Sequence, residues 1–186
     1  MPKSVAHIFG GEAKVKIMRL FVFNHNQSFG AKEISDRTKE RLVKVRKELR
    51  ALMKSGLLKT KLRGYTLNED YPYLSALENF LIDASPLTEK EIVRKISRVG
   101  NIKLILIAGV FLHDPESRVD ILVVGDHIKK GMLVSAISAL EAELGKELRY
   151  AAFETNDFKY RIGVYDKLIR DILDFPHQKI VNKLGL

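Results

Sequence analysis

Cysteine is absent from the 186 residues, which excludes disulfides and thiolate metal sites and fits a reducing cytoplasm. Long apolar runs are also lacking. The longest, at 104–110 and 121–124, fall far short of the roughly 20 residues needed to cross a bilayer, so a soluble chain with no membrane partner is expected. No continuous apolar stretch follows Lys3 ahead of a small-residue cleavage site, and no secretory signal is expected. His7, His25, His113, His127 and His177 are scattered, with no pair at the i, i+4 spacing of a helical metal site. Neither a metal nor a cofactor is expected. Internal repeats and low-complexity tracts are missing too.

What the chain does have is positive charge at one end. Residues 1–70 carry 16 Lys/Arg against 7 Asp/Glu, whereas residues 71–186 carry 16 of each. A basic block beside a neutral one implies a polyanion-binding module joined to one that binds no polyanion, because each neutralised phosphate adds salt-sensitive affinity. The polyanion expected is double-stranded DNA. The split also favours two small cores over one large one.

Residues 12–25 pattern as a helix with a wide apolar face (Val15, Ile17, Met18, Phe21, Val22), leaving Lys14, Lys16 and Arg19 for solvent. A turn at 24–30 leads to a short helical segment at 31–38 around Ile34. Residues 39–55 then place Leu42, Val45, Leu49, Leu52 and Met53 on one stripe. Thr38 is a candidate N-cap for that longer helix; the usual turn glycine is missing, so one unbroken helix from Ala31 is the alternative. At about 100° per residue the apolar stripe lies nearly opposite Lys47, with Lys44, Arg50 and Lys54 to either side. Gly56 ends the helix. Alternation at 57–62, Arg63-Gly64, and the return through Tyr65-Thr66-Leu67 make a hairpin with a basic tip. From Lys39 to Arg63 there are 10 Lys/Arg and two acids. A charge run is ordinarily a solvated face; here the hairpin and the shortage of acids weigh towards a binding surface.

Helix, short helix, long basic helix and basic hairpin together resemble a winged-helix DNA-binding domain. The likeness is carried by Ala31-Lys32-Glu33-Ile34-Ser35, by residues 45–58 with Leu49, Leu52 and Gly56-Leu57-Leu58, and by the hairpin at 61–67. The resemblance implies that Val43, Lys44 and Lys47 face base edges and that Arg50, Lys54, Lys61 and Arg63 contact phosphates.

Asp70 and Pro72 break the chain, a helix is expected at 73–82, and residues 83–86 break it again. Thr88 with Glu91 three residues on reads as a capping box. The expected organisation is therefore a DNA-binding domain at 1–70, a helical linker at 71–87 and a second domain at 88–186. The helix at 73–82 is assignable to either side or to pairing with a second copy.

In the second domain Ile92, Ile96 and Val99 line the capped helix, and 102–108 reads as a strand buried on both faces. Further strands are expected at 119–124 and 148–153, a helix at 128–144, and a last helical region from Phe158 that stops before Pro176. The order α-β-β-α-β-α describes a small mixed sheet carrying helices, and the chain as a whole is expected to be α+β.

Residues 106–110, a loop, and Ser117-Arg118-Val119-Asp120-Ile121 resemble the core of the minimal nucleotidyltransferase family, which has Gly-Ser at one strand end and two aspartates at i and i+2 on the next. In that family the aspartates and a third carboxylate hold Mg²⁺. Val110 stands where the serine belongs, Arg118 replaces the first aspartate, and only Asp120 remains; Glu154 lies just past the third strand. The resemblance thus implies a catalytically silent copy in which Arg118 neutralises Asp120. A sharper alternative has Arg118 and the Gly109-Val110 amides gripping a nucleotide or phosphate, with Arg161 as a further cation.

These readings combine into a cytoplasmic transcriptional regulator that binds DNA as a homodimer, with its second domain used for dimerisation or ligand sensing. Two rivals stand beside it. One is an active nucleotidyltransferase drawing carboxylates from Asp120 with Asp114, Glu116 or Glu154. The other is an antitoxin-like partner of a second small protein.

Overall fold

Phe21, Phe29, Ile34, Val45 and Leu49, each at most 1% exposed, form the centre of a first core. It is built because helical stripes and a hairpin face one another over the same apolar residues. The computed structural model describes residues 3–62, 64–84, 87–112, 114 and 116–186. Arg63, Ser85, Pro86, His113 and Pro115, which figure in the hairpin and loop expectations, lie outside the described residues. The chain divides into two compact units, Met1–Thr88 with Ser138–Lys146, and Glu89–Ile137 with Glu147–Leu186. The chain is mixed α and β, and no described helix is long and apolar enough to cross a membrane.

In the first unit α1 (Lys3–Ile8) and α2 (Glu12–Val22) precede a two-residue strand β1 (Ser28–Phe29), then α3 (Ala31–Thr38), α4 (Leu42–Lys54), β2 (Leu58–Lys61), β3 (Gly64–Leu67) and α5 (Leu74–Asp83). The strands form an antiparallel sheet in the order β1-β3-β2, with Lys61 opposite Gly64 and Phe29 opposite Tyr65. Strand β1 was expected as turn. At two residues it is too short for alternation to register, and only its pairing with β3 makes it a strand.

The helix at 31–38 and the longer one are separate, as expected, and the unbroken alternative does not occur, because Lys39 takes a left-handed φ of 56° and Arg41 is extended. Two local expectations are corrected by the structure. Thr38 is not the cap of α4. Its hydroxyl donates to the Ile34 carbonyl inside α3, and the Ser35 hydroxyl donates to the Glu40 carbonyl, closing the turn without a glycine. Lys16 and Arg19, expected in solvent, are 8% and 2% exposed. Most of their helix is covered, and each charge has partners within the unit: Lys16 meets the half-buried Glu40 and Glu143, and the Arg19 guanidinium donates to the Leu81 and Ala84 carbonyls. Burial pulls Arg19 down to about 10, against the opposing attraction of Glu143. The same contacts tie the end of α5 to the first core, where Leu81 is fully buried.

The hairpin is pinned at its base. Gly64 has a φ of 134°, and a Cβ there would run into the Phe29 carbonyl. The Thr66 hydroxyl donates to the Gln27 carbonyl at 3.0 Å, and the Asn68 amide to the Gly56 carbonyl at 2.7 Å. Gly64→Ala is accordingly expected to force β1 from β3 and cost about 2 kcal/mol or more. Thermal unfolding measures this, and an unchanged Tm would show that the approach is not obligatory.

The second unit is a four-stranded sheet in the order β6-β5-β4-β7, from β4 (Asn101–Ile107), β5 (Ile121–Asp126), β6 (Tyr150–Glu154) and β7 (Gln178–Asn182). Strands β4 and β5 are antiparallel, β5 and β6 are parallel through the crossover that contains α7 (Lys130–Leu144), and β7 runs antiparallel on the free edge of β4. Leu104, Ile105, Leu106 and all of 121–124 are fully buried, as continuous β-branched and leucine runs require. Phe158 of α8 (Thr155–Gly163) and Ile169 and Ile172 of α9 (Lys167–Asp174) pack on one face against Leu104, Leu106, Leu122 and Val124. Ile92 and Ile96 of α6 (Glu89–Ile96), which starts directly after Thr88, are buried as well. The last helical region before Pro176 comprises the two helices α8 and α9, and β7, which was not expected, follows it. Tyr165 turns left-handed at φ 56°, and the Asp166 carboxylate caps α9 by accepting from the Leu168 and Ile169 amides.

Candidate nucleic-acid interface

The amphipathicity of α4 gives the first unit its charged face. Val45, Glu48, Leu49 and Leu52 turn inward, at most 8% exposed, and Val43, Lys44, Arg46, Lys47, Arg50 and Lys54 are exposed. At a helical repeat of about 100°, Val43, Lys47, Arg50 and Lys54 fall along the middle of the outward face. All the α4 residues expected to face DNA are thus on one surface. Arg41 and Arg46 are exposed beside them and were not anticipated. Arg46 lies on the flank of the same helical wheel, which is the signal that identifies it, whereas Arg41 is the extended residue that precedes the helix.

The two acids of the segment lie off the middle of this face. Glu48 is buried and reaches Lys14 of α2 at 3.3 Å. Glu40 reaches Lys16 at 3.7 Å and Lys44 at 3.0 Å. A chain of alternating charges therefore runs Glu143, Lys16, Glu40, Lys44, with Lys16 to Glu143 at 3.0 Å. It leaves Arg46, Lys47, Arg50 and Lys54 with no ion-pair partner among the described residues, while Lys44 is held by a weak exposed i, i+4 pair worth about 0.3–0.5 kcal/mol.

The hairpin adds to the same unit. Lys61 is exposed at the end of β2 with no described ion-pair partner, and Leu62 at the turn is 108% exposed. Lys59 instead binds Asp70 at 2.8 Å, and this hydrogen bond holds the Asp70 carboxyl below its ordinary range. Of the phosphate-contact candidates, Arg63 lies outside the described residues.

The residues singled out in the second unit are arranged differently from expectation. Arg118 and Asp120 do not sit on a strand, since β5 begins at Ile121. They do not pair, either: Arg118 reaches Asp171 at 3.5 Å. Asp120 is 3% exposed and accepts from the Val110 amide at 2.9 Å, the Arg149 amide at 2.7 Å and the Arg149 guanidinium at 3.3 Å. Gly109, at φ 53°, lies so close to Asp120 that a Cβ would overlap its carboxylate. The Val110 amide, expected to grip a phosphate, is already occupied by an anion of the chain itself. Arg161 binds Asp157 at 3.0 Å and Asp166 at 3.1 Å, and the Asp157 hydrogen bond raises its pKa. It has no ion-pair partner in common with Arg118 among the described residues.

The carboxylates that an active nucleotidyltransferase needs are not gathered. Glu154 accepts from the His127 and Ile128 amides at 3.0 and 3.1 Å. Tyr150 pairs with Ile121 and Glu154 with Gly125 in the parallel β5–β6 ladder, so Asp120 and Glu154 lie at opposite ends, separated by roughly 13 Å or more along the strands. Asp114 accepts from the Glu116 amide within its own loop. Among the described residues no group of three His, Asp or Glu side chains is placed to hold a metal ion. No protein-family model, curated protein or solved structure matches this chain.

Proposed function

We propose that the chain is a DNA-binding transcriptional regulator whose first unit is a winged-helix domain, with α4 in the major groove and the β2–β3 hairpin as its wing. The reading rests on one observation: the outward face of α4 carries Arg46, Lys47, Arg50 and Lys54 with no ion-pair partner among the described residues, while Glu48 is buried against Lys14 of α2 and Glu40, ahead of the helix, is shared between Lys16 of α2 and Lys44. A merely solvated helix gains by interleaving acids at i, i+4, and beyond the Glu40–Lys44 pair at its start this one has none on its outward face. The element order, helix, strand, helix, helix, strand, strand, supports the same reading. Val43, Lys44 and Lys47, near the start of α4, face base edges; Arg50, Lys54 and Lys61 contact phosphates.

The second unit is a nucleotidyltransferase-like domain that serves dimerisation or ligand sensing in a cytoplasmic homodimer. With the Asp120 carboxylate turned to the Val110 and Arg149 amides, it carries out no metal-dependent transfer. Selection from a pool of random duplexes tests the function as a whole. Enrichment of a two-part motif with halves about one helical turn apart is expected. Recovery of no enriched sequence, with binding no stronger to duplex than to any other polyanion, would overturn it.

A further inference from the structure

Leu62 is the one apolar side chain at the tip of the basic hairpin, and it is 108% exposed, held clear of its own protein. The fold does not account for it. It belongs to no part of the first core, and a turn of two residues between Lys61 and Gly64 favours Asn, Asp or Gly over leucine. Beside it the surface is cationic: Lys61 precedes it, exposed and without an ion-pair partner among the described residues, and Lys59, paired with Asp70, is exposed on the same strand. The mount is firm, because Leu58 and Leu67 are buried at the hairpin base and Gly64 lies against the Phe29 carbonyl. A rigid, positively charged arm carrying one projecting aliphatic group has the chemistry of side chains that enter the minor groove and part a base step.

We propose that Leu62 is such a wedge, and that the protein bends the duplex it binds. This rests on the DNA-binding reading above and adds a mechanical consequence to it. Lys61 draws the tip to the phosphates of a narrow, A·T-rich minor groove, and Leu62 unstacks a step there. The ligand is therefore a duplex with a deformable pyrimidine–purine step, TA or CA/TG, beside the α4 contact. Nothing but an apolar group of this size serves, since a polar one has no partner between stacked bases.

The test uses the full chain and end-labelled duplexes of about 30 base pairs carrying the selected motif, with bending read by energy transfer between the ends. Wild type is expected to bend the duplex. Leu62→Ala should bind roughly tenfold more weakly and lose the bend with its salt dependence unchanged, while Leu62→Met keeps both. Because the side chain is fully exposed, an unchanged melting curve for Leu62→Ala confirms that folding is not the cause. A wild-type complex that leaves the duplex straight, or a Leu62→Ala complex that bends it equally, overturns the wedge and leaves the DNA reading standing. Failure of wild type to bind any duplex removes both, and a Leu62→Ala defect confined to association with a protein overturns the wedge in favour of a docking role.

Discussion

Replacing Lys47 and Arg50 together with alanine is expected to weaken duplex binding by roughly a hundredfold at physiological salt and to lower the slope of log K against log salt by about 2. Both side chains are exposed in the middle of the outward face of α4, so the helix and its unit should melt unchanged. The size of the effect follows from counterion release, which contributes about 0.9 to the slope for each phosphate neutralised. Lys47 near base edges adds a second signature, a relaxed sequence preference at one position in the Lys47→Ala single variant. Net charge is controlled by Lys167→Ala with Lys183→Ala, two exposed cations of the second unit; that pair should leave affinity and slope alone. Equal losses for the two double variants would mean that total charge, not this face, carries the binding.

Asp120→Ala is expected to destabilise the second unit by about 3–4 kcal/mol, seen as a fall in Tm of more than about 10 °C. Removing the carboxylate leaves the Val110 and Arg149 amides without their acceptor and the Arg149 guanidinium without its ion. The two amides are the costly part, because Asp120 is 3% exposed and water does not reach its site, whereas the Arg149 side chain is 53% exposed and is rehydrated. Gly109→Ala should behave alike, because its methyl group would occupy the space of the carboxylate. A Tm that stays within a degree or so of wild type in Asp120→Ala would return this residue to the list of functional acids.

The two effects trace different degrees of legibility. Helices α3 and α4, the hairpin and strands β4 and β5 follow from apolar periodicity, since burial against a single face writes a period of 3.6 or a continuous run into the chain. The outward cations of α4 follow from the same periodicity read on its other side. The burial of Lys16 and Arg19 was not legible, because it depends on helices remote in sequence, with Glu143 and the Leu81 carbonyl supplied by residues far along the chain. The partner of Asp120 was missed for the same reason. Arg118 is two residues away and Arg149 is 29, and only the parallel register of β5 on β6 decides between them. Strand β7 lies beyond Pro176 at a sheet edge with only Ile180 and Val181 half-buried, so it carries too little alternation to be read. Asp166 capping α9 did leave a signal, an aspartate directly before an apolar-periodic segment.

Amide chemical-shift mapping of the isotope-labelled chain titrated with its selected duplex tests the central claim most directly. The account predicts saturable shifts concentrated in α4 and in the β2–β3 hairpin, strongest at Val43, Lys47, Arg50, Lys54 and Lys61, with β4 and β5 unmoved. Shifts gathered around Gly109, Arg118 and Asp120 instead, with α4 silent, would contradict it.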